Sequence, residues 1–141
     1  AAIVSQEVEG IAFQLLIYPG TDARVQTRSK ELFADGFGLD KTTVDWFFGA
    51  YINGASPADP RVSPAASSNL AASPPTHVAT AGFDVLRDEG LAYAALLKEA
   101  GVDCTVKNHE ALGHGFVHLT RLDGCDQGVV ALVNALRRGL A

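Results

Sequence analysis

The sequence has 141 residues, of which 48% are hydrophobic and 19% charged, and its formal net charge is −5. A chain of this length and composition is typical of one folded domain and is neither disordered nor of low complexity. Lys and Arg form no cluster, which argues against nucleic acid as a partner. The apolar runs are shorter than the ~20 residues that a membrane-spanning helix needs, so we expect no membrane span.

The N-terminal region carries no recognisable targeting segment. Residues 1–10 lack the cationic and apolar parts of a secretory signal, and the sequence contains no Met. We therefore expect a piece of a longer, cytoplasmic protein whose start lies upstream. The cysteines Cys104 and Cys125 are too few for a disulfide framework and are expected to be free or buried thiols.

Apolar runs alternate with helical patterns along the chain, which predicts β-α units around a parallel sheet. Residues 1–9 are typical of the tail of a helix. Residues 11–18 are almost continuously apolar, as expected of a central parallel strand. Residues 41–51 place their apolar side chains on one helical stripe, and Thr42 or Thr43 is expected to cap that helix.

The second half of the chain predicts a strand-helix-strand-helix order after a long connection. Residues 53–75 contain five of the six prolines and predict an irregular segment over the surface. Asp88 and Glu89 are interpreted as first-turn acids that the helix dipole stabilises. The predicted elements are a strand at 76–82, a helix at 87–100, a strand at 102–108 and a helix at 127–140.

Two residues lie where α/β proteins place their working groups, in loops past the carboxyl ends of strands. Asp84 follows the second predicted strand, and His114 follows the third between two glycines that permit a tight turn. An aspartate bonded to one imidazole nitrogen fixes the tautomer and leaves the other nitrogen free to act as a general base. We therefore expect this pair to carry chemistry together with a nucleophile.

Four short motifs follow one another in a specific order: Asp84-Val-Leu-Arg-Asp-Glu-Gly90, Tyr93-Ala94, Ala100-Gly101 and His114-Gly-Phe116. Together they resemble the C-terminal part of the hormone-sensitive-lipase-like esterases, which are α/β-hydrolases. The resemblance implies an α/β fold with about three parallel strands and flanking helices, residues 1–141 forming a single partial domain.

The resemblance also implies roles for individual residues. Asp84 and His114 would be the acid and the histidine of a Ser-Asp-His triad, in that chain order. Phe37 and Leu86 are implied to bind substrate, and the aromatic group of residues 46–51 to contribute to a lid and an acyl pocket. Val85 departs from the family, which usually has proline after the aspartate, and this predicts a less rigid loop.

The family's Gly-x-Ser-x-Gly elbow and His-Gly-Gly oxyanion-hole motif are absent from these 141 residues. Gly54-Ala-Ser-Pro-Ala58 comes nearest to the elbow and fails at its last position. We expect both motifs in an N-terminal part of the same protein, which would be the chain's main partner. The 141 residues alone are then expected to be inactive, and the open edge of the first strand to favour self-association.

Neither a metal nor another cofactor is expected. His109-Glu-Ala-Leu-Gly-His114 is one residue longer than the His-Glu-x-x-His zinc motif, and its glycine argues against a helix. Gly36-Phe-Gly38 lacks the strand-turn-helix context of a dinucleotide site and predicts a turn.

The resulting hypothesis is hydrolysis of small-molecule carboxylic esters through an acyl-enzyme. Two alternatives stay open. A prolyl-oligopeptidase-like peptidase has the same triad order, and a non-catalytic α/β binding module would lack the serine altogether. The coding sequence upstream of residue 1 distinguishes the enzymes from the binding module.

Overall fold

The computed structural model describes residue 8 and residues 10–141. The predicted helix tail at 1–9 therefore falls almost entirely outside the described residues. The elements in chain order are β1 Gln14–Ile17, α1 Arg28–Leu32, α2 Lys41–Ile52, β2 Thr76–Phe83, α3 Arg87–Glu99, β3 Cys104–Gly113 and α4 Cys125–Gly139, with short 3-10 turns at Pro64–Ala66, Leu70–Ala72 and Phe116–His118.

The three strands form one parallel sheet in the order β1-β2-β3, as predicted. The central strand β2 is buried along almost its whole length, because both of its faces are covered. On one face Val78 packs with Tyr93 and Leu97 of α3. On the other face Ala79 packs with Leu132 of α4. The fold is therefore a helix-sheet-helix sandwich.

Several element boundaries differ from the prediction. β1 is shorter than residues 11–18, and β3 begins later than residue 102 and runs past residue 108 to Gly113. The short helix α1 was not predicted, because five residues are too few to show a helical period. The predicted cap of α2 was also wrong: Asp40, not Thr42 or Thr43, accepts the hydrogen bond from the backbone N–H of Thr43.

An irregularity in the pairing of β2 with β3 sets the end of the sheet. Ala81 pairs with His109, but Phe83 pairs with Gly113, so three residues of β3 pass opposite Gly82. The backbones approach so closely there that a Cβ on Gly82 would lie 2.0 Å from the carbonyl oxygen of Glu110. The strands end at the paired residues Phe83 and Gly113. The residues that follow them, Asp84 and His114, therefore also lie next to each other.

Helix α4 lies close to the sheet because two of its own residues that face the sheet and the adjoining segments are glycines. A Cβ on Gly128 would lie 2.9 Å from both Leu112 and Phe116, and one on Gly139 would overlap Phe13. The two cysteines are free and buried, as predicted, on opposite faces of the sheet. Among residues 8 and 10–141 no helix is both long enough and apolar enough to cross a membrane.

The close approach at Gly82 makes a stability prediction. Gly82→Ala places a methyl group against the backbone of Glu110, which is held in the sheet. We expect this variant to lower the free energy of unfolding by at least about 1–3 kcal/mol. Gly49→Ala in α2 is the matched control, because a Cβ there meets no atom within 4 Å and alanine favours a helix by up to ~1 kcal/mol. Urea denaturation of both variants measures the difference; equal stabilities would contradict the assigned register.

Candidate active site

The structure brings Asp84 and His114 together at the carboxyl ends of β2 and β3. His114 Nδ1 lies 2.8 Å from Asp84 Oδ2. The Asp84 side chain is fully buried, whereas the His114 side chain is 24% exposed. The acid is thus withdrawn from solvent and the imidazole stands between it and the surface. This contact follows directly from the pairing of Phe83 with Gly113.

The second carboxylate oxygen of Asp84 is also occupied. Oδ1 accepts the backbone N–H of Leu86 at 2.9 Å, which fixes the rotation of the carboxylate. Val85, where a less rigid loop was predicted for lack of proline, is completely buried, and its carbonyl accepts the Ser29 hydroxyl at 2.9 Å. Packing and a hydrogen bond therefore hold this loop in place without proline.

The partner of Nδ1 decides the protonation pattern of His114. Because the Asp84 carboxylate accepts, Nδ1 donates, and Nε2 of the neutral ring is then the basic nitrogen. Nε2 has no hydrogen-bond partner among the residues that the structure describes, and the imidazole lines a cavity. An imidazole in this arrangement is suited to accept a proton from a group bound in the cavity.

Tyr18, the residue directly after β1, packs on the imidazole. The ring centroids of Tyr18 and His114 are 4.4 Å apart, and Phe116 meets the tyrosine edge-on at 5.6 Å. The backbone of Tyr18 has φ +38°, in the left-handed region, a conformation that costs a bulky residue about 1–3 kcal/mol. Burial and the nearby charge of Asp84 raise the pKa of the tyrosine. Sequence reasoning missed this residue.

An apolar cavity of about 390 Å³ lies beside His114. Leu86, predicted to bind substrate, lines it, as do Phe47, Phe48 and Tyr51 of the aromatic group on α2. Trp46, the other large aromatic residue of this group, is 67% exposed and meets Phe47 edge-on; it does not line the cavity. The remaining lining residues are Leu39 and Val44.

Phe37, the other predicted substrate-binding residue, lies in a separate aromatic cluster. Its ring stacks on Phe83 with centroids 5.7 Å apart and meets Phe33 edge-on at 5.0 Å. The guanidinium of Arg87 lies over Phe33. The structure therefore does not bring Phe37 into the lining of the cavity beside His114, although Phe83 directly precedes Asp84.

Glu89, predicted to be a first-turn acid that the helix dipole stabilises, also binds residues of two other segments. It is 2% exposed, and its Oε1 accepts the backbone N–H of Thr21 at 2.7 Å and of Asp22 at 3.3 Å. Its Oε2 lies 2.6 Å from Nζ of Lys30, which is also buried. The side chain thus fastens the segment after β1 to the first turn of α3. No local pattern revealed this role, because the partners are distant in sequence.

Asp88, the second first-turn acid, holds α1. Its Oδ2 accepts the backbone N–H of Ser29 at 2.8 Å, and its Oδ1 accepts Nε of Arg87 at 2.8 Å. The Ser29 hydroxyl in turn bonds the carbonyl of Val85. Helix α1 is therefore tied to the loop that carries Asp84.

The two histidines of the zinc-like spacing have different surroundings. His109 is buried on β3 with its ring 4.9 Å from Phe116, and burial lowers its pKa. His114 is bonded to Asp84 instead. Within the described part of the chain, no three His, Cys, Asp or Glu side chains are grouped closely enough to hold a metal ion.

Comparison with known proteins gives consistent matches. A family model described as alpha/beta hydrolase fold matches residues 1–118. The carboxylic ester hydrolase LipN of Mycobacterium tuberculosis is 44% identical over 91% of the chain, and an ethyl acetate hydrolase of Pseudomonas putida is 33% identical over 96%. An ester hydrolase of solved structure from the metagenome of Lake Arreo is 40% identical, and the match covers 92% of the chain with a TM-score of 0.79.

These relatives are considerably longer than the chain. It covers 35% of LipN, 43% of the ethyl acetate hydrolase and 41% of the Lake Arreo enzyme. The chain therefore spans less than half the length of the proteins it matches.

The buried pair of Glu89 and Lys30 makes a second stability prediction. Glu89→Gln turns an amide donor toward a buried ammonium group and leaves its charge unpaired, which should lower the free energy of unfolding by about 3–5 kcal/mol. Glu99→Gln, exposed near the end of the same helix, should change it by less than about 0.5 kcal/mol.

The double variant Lys30→Met with Glu89→Gln separates charge from packing. Because it removes the unpaired charge, it should recover part of the loss seen for Glu89→Gln alone. Denaturant unfolding of the wild type, Lys30→Met, Glu89→Gln and the double variant measures the coupling between the two residues. Strictly additive losses would contradict a buried, interacting pair.

Proposed function

Because the chain belongs to the alpha/beta-hydrolase family, on its hormone-sensitive-lipase-like carboxylesterase branch, we propose that the protein it forms part of hydrolyses carboxylic esters through an acyl-enzyme. The observation that carries the proposal is the hydrogen bond between His114 and Asp84 beside an apolar cavity. Relatives named ester hydrolases and esterases support the same chemistry and favour it over a peptidase on the same fold.

Each residue of the pair has a defined part in the proposed reaction. His114 Nε2 takes the proton of a serine hydroxyl as the oxygen attacks the ester carbonyl, and then gives that proton to the departing alcohol. In the second half it takes a proton from water as the water oxygen attacks the acyl-enzyme, and it gives that proton to the serine oxygen as the carboxylic acid leaves. Asp84 holds the imidazole and stabilises its cation throughout. The serine and the oxyanion hole belong to a part of the protein outside these 141 residues.

The size and lining of the cavity support a proposal about the class of substrate. Its volume of about 390 Å³ lies toward the small end of ligand pockets, and its lining is aliphatic and aromatic apart from His114. We propose small, uncharged esters whose acyl or alcohol group lies against Leu86 and the α2 aromatic residues. Phe37 would then contact only a larger substrate that reaches the neighbouring aromatic cluster.

The sheet supports a proposal about the partner. Among the described strands, β1 is hydrogen-bonded only to β2, so one edge of an apolar strand has no partner in this sheet. We propose that the remainder of a longer protein pairs with that edge and supplies the nucleophile. The 141 residues by themselves would then be inactive and prone to self-association.

The proposed pair is tested by substitution in the full-length protein. Asp84→Asn should lower kcat for p-nitrophenyl butyrate by about 10³–10⁴-fold, because the imidazole loses its orientation and its counter-charge. His114→Ala should lower it at least as much. Asp88→Asn, four residues from Asp84, is the matched control: its side-chain oxygen can still accept the backbone N–H of Ser29, so kcat should stay close to wild type. A large loss at Asp88 with near-normal turnover for Asp84→Asn would refute the assignment.

The proposed acyl pocket makes a specificity prediction. Phe47→Ala enlarges the cavity, so the ratio of kcat/KM for the hexanoate ester over the acetate ester should rise by about 3- to 10-fold, given ~0.8 kcal/mol per buried methylene. Trp46→Ala removes the adjacent aromatic ring, which does not line the cavity, and should leave the ratio nearly unchanged. Equal ratios in all three proteins would place the acyl group elsewhere.

A further inference from the structure

We propose that Tyr18 is a positioning residue for His114, holding the plane of the imidazole and stabilising its protonated form. The inference rests on the proposed general-base role of His114. It is drawn from three features of the structure: the strained backbone of Tyr18, the contacts of its ring with the rings of His114 and Phe116, and a hydroxyl that has no hydrogen-bond partner among the described residues.

The backbone of Tyr18 is held in an unfavourable conformation from both sides. Its φ of +38° is rare for a bulky residue, and a residue before proline, here Pro19, strongly prefers extended backbone. On one side the Tyr18 N–H donates to the carbonyl of Ala79 at 2.6 Å, which continues the β1-β2 ladder. On the other side Thr21 is bonded to Glu89 through its backbone N–H and its hydroxyl. Strain maintained in this way concentrates at functional sites.

The tyrosine ring packs on the imidazole. The Tyr18 and His114 centroids are 4.4 Å apart with the planes inclined by 51°. Phe116 is completely buried and meets the tyrosine ring edge-on at 77°. Phe116 is itself fixed by α4, since even a methyl group on Gly128 would lie 2.9 Å from its ring. Tyr18 therefore packs against a second, rigidly held ring as well as against His114.

A hydrogen bond to Asp84 fixes one nitrogen of the imidazole but leaves the ring free to tilt about that contact. Tyr18 blocks this tilt, so Nε2 keeps one direction toward the cavity. The negative face of an aromatic ring also attracts a cation within about 6 Å, and His114 becomes a cation when it takes the serine proton. The tyrosine hydroxyl has no hydrogen-bond partner among the described residues, so the ring and not the hydroxyl carries the effect.

The experiment compares Tyr18→Phe and Tyr18→Leu in the full-length protein with p-nitrophenyl butyrate. Tyr18→Leu should lower kcat about 10- to 100-fold with KM changed less than about twofold. The acid-limb pKa of kcat/KM should fall, because the imidazolium loses the ring. Tyr18→Phe should restore both kcat and the pH profile to near wild type. Should Tyr18→Leu fail to fold, Tyr18→Met provides a similar volume without a ring.

Tyr93→Leu is the matched control, because it removes a buried tyrosine ring from α3 on the other side of the sheet. It should lower the thermal midpoint without changing kcat or the pH profile. If Tyr18→Leu keeps wild-type kcat, or Tyr18→Phe loses as much as Tyr18→Leu, the inference is overturned while inactive His114→Ala and Asp84→Asn variants still support the proposed function. If those two variants stay active, both proposals fall.

Discussion

The close approach of β2 and β3 at Gly82 is the constraint on which the candidate site depends. Because three residues of β3 pass opposite this glycine, both strands end at the pair Phe83 and Gly113. Asp84 and His114 follow these two residues directly, so no intervening residue allows them to move apart. The backbone register thus brings two groups that are distant in sequence close enough for a 2.8 Å contact, and the hydrogen bond from Leu86 N–H orients the carboxylate. A side chain at Gly82 would remove that register.

A buried ion pair fixes the segment that follows Tyr18. Burying Glu89 and Lys30 costs desolvation, which the pair offsets by its 2.6 Å contact and by the backbone N–H groups of Thr21 and Asp22. Such a pair contributes little net stability but strongly favours one arrangement of its surroundings. Here it fixes the segment that follows Tyr18, so that the tyrosine ring remains against the imidazole. Register on one side and electrostatics on the other hold His114 between Asp84 and Tyr18.

Asp84 and His114, the two partners of the central hydrogen bond, have different surroundings. Asp84 is closed off from water behind Val85 and Leu86, whereas His114 borders an apolar cavity that is open to a ligand. A charge that develops on the imidazole would therefore lie near a buried carboxylate and an aromatic ring. Low polarity strengthens both interactions. The same apolar walls exclude charged groups from the cavity and favour uncharged ones.

The sequence by itself determined the three parallel strands and the covering helices, because apolar periodicity is a local signal. It also placed Asp84 and His114 directly after strands, while the family resemblance implied the triad roles that are proposed for them. Only the tertiary structure decided the length of β3, the cap at Asp40, the role of Glu89 and the placement of Phe37 away from the cavity. Each of these depends on a partner far along the chain or on a register that changes by a residue or two at a bulge. Tyr18 belongs with them, since nothing in its local sequence shows that its ring meets an imidazole almost a hundred residues later.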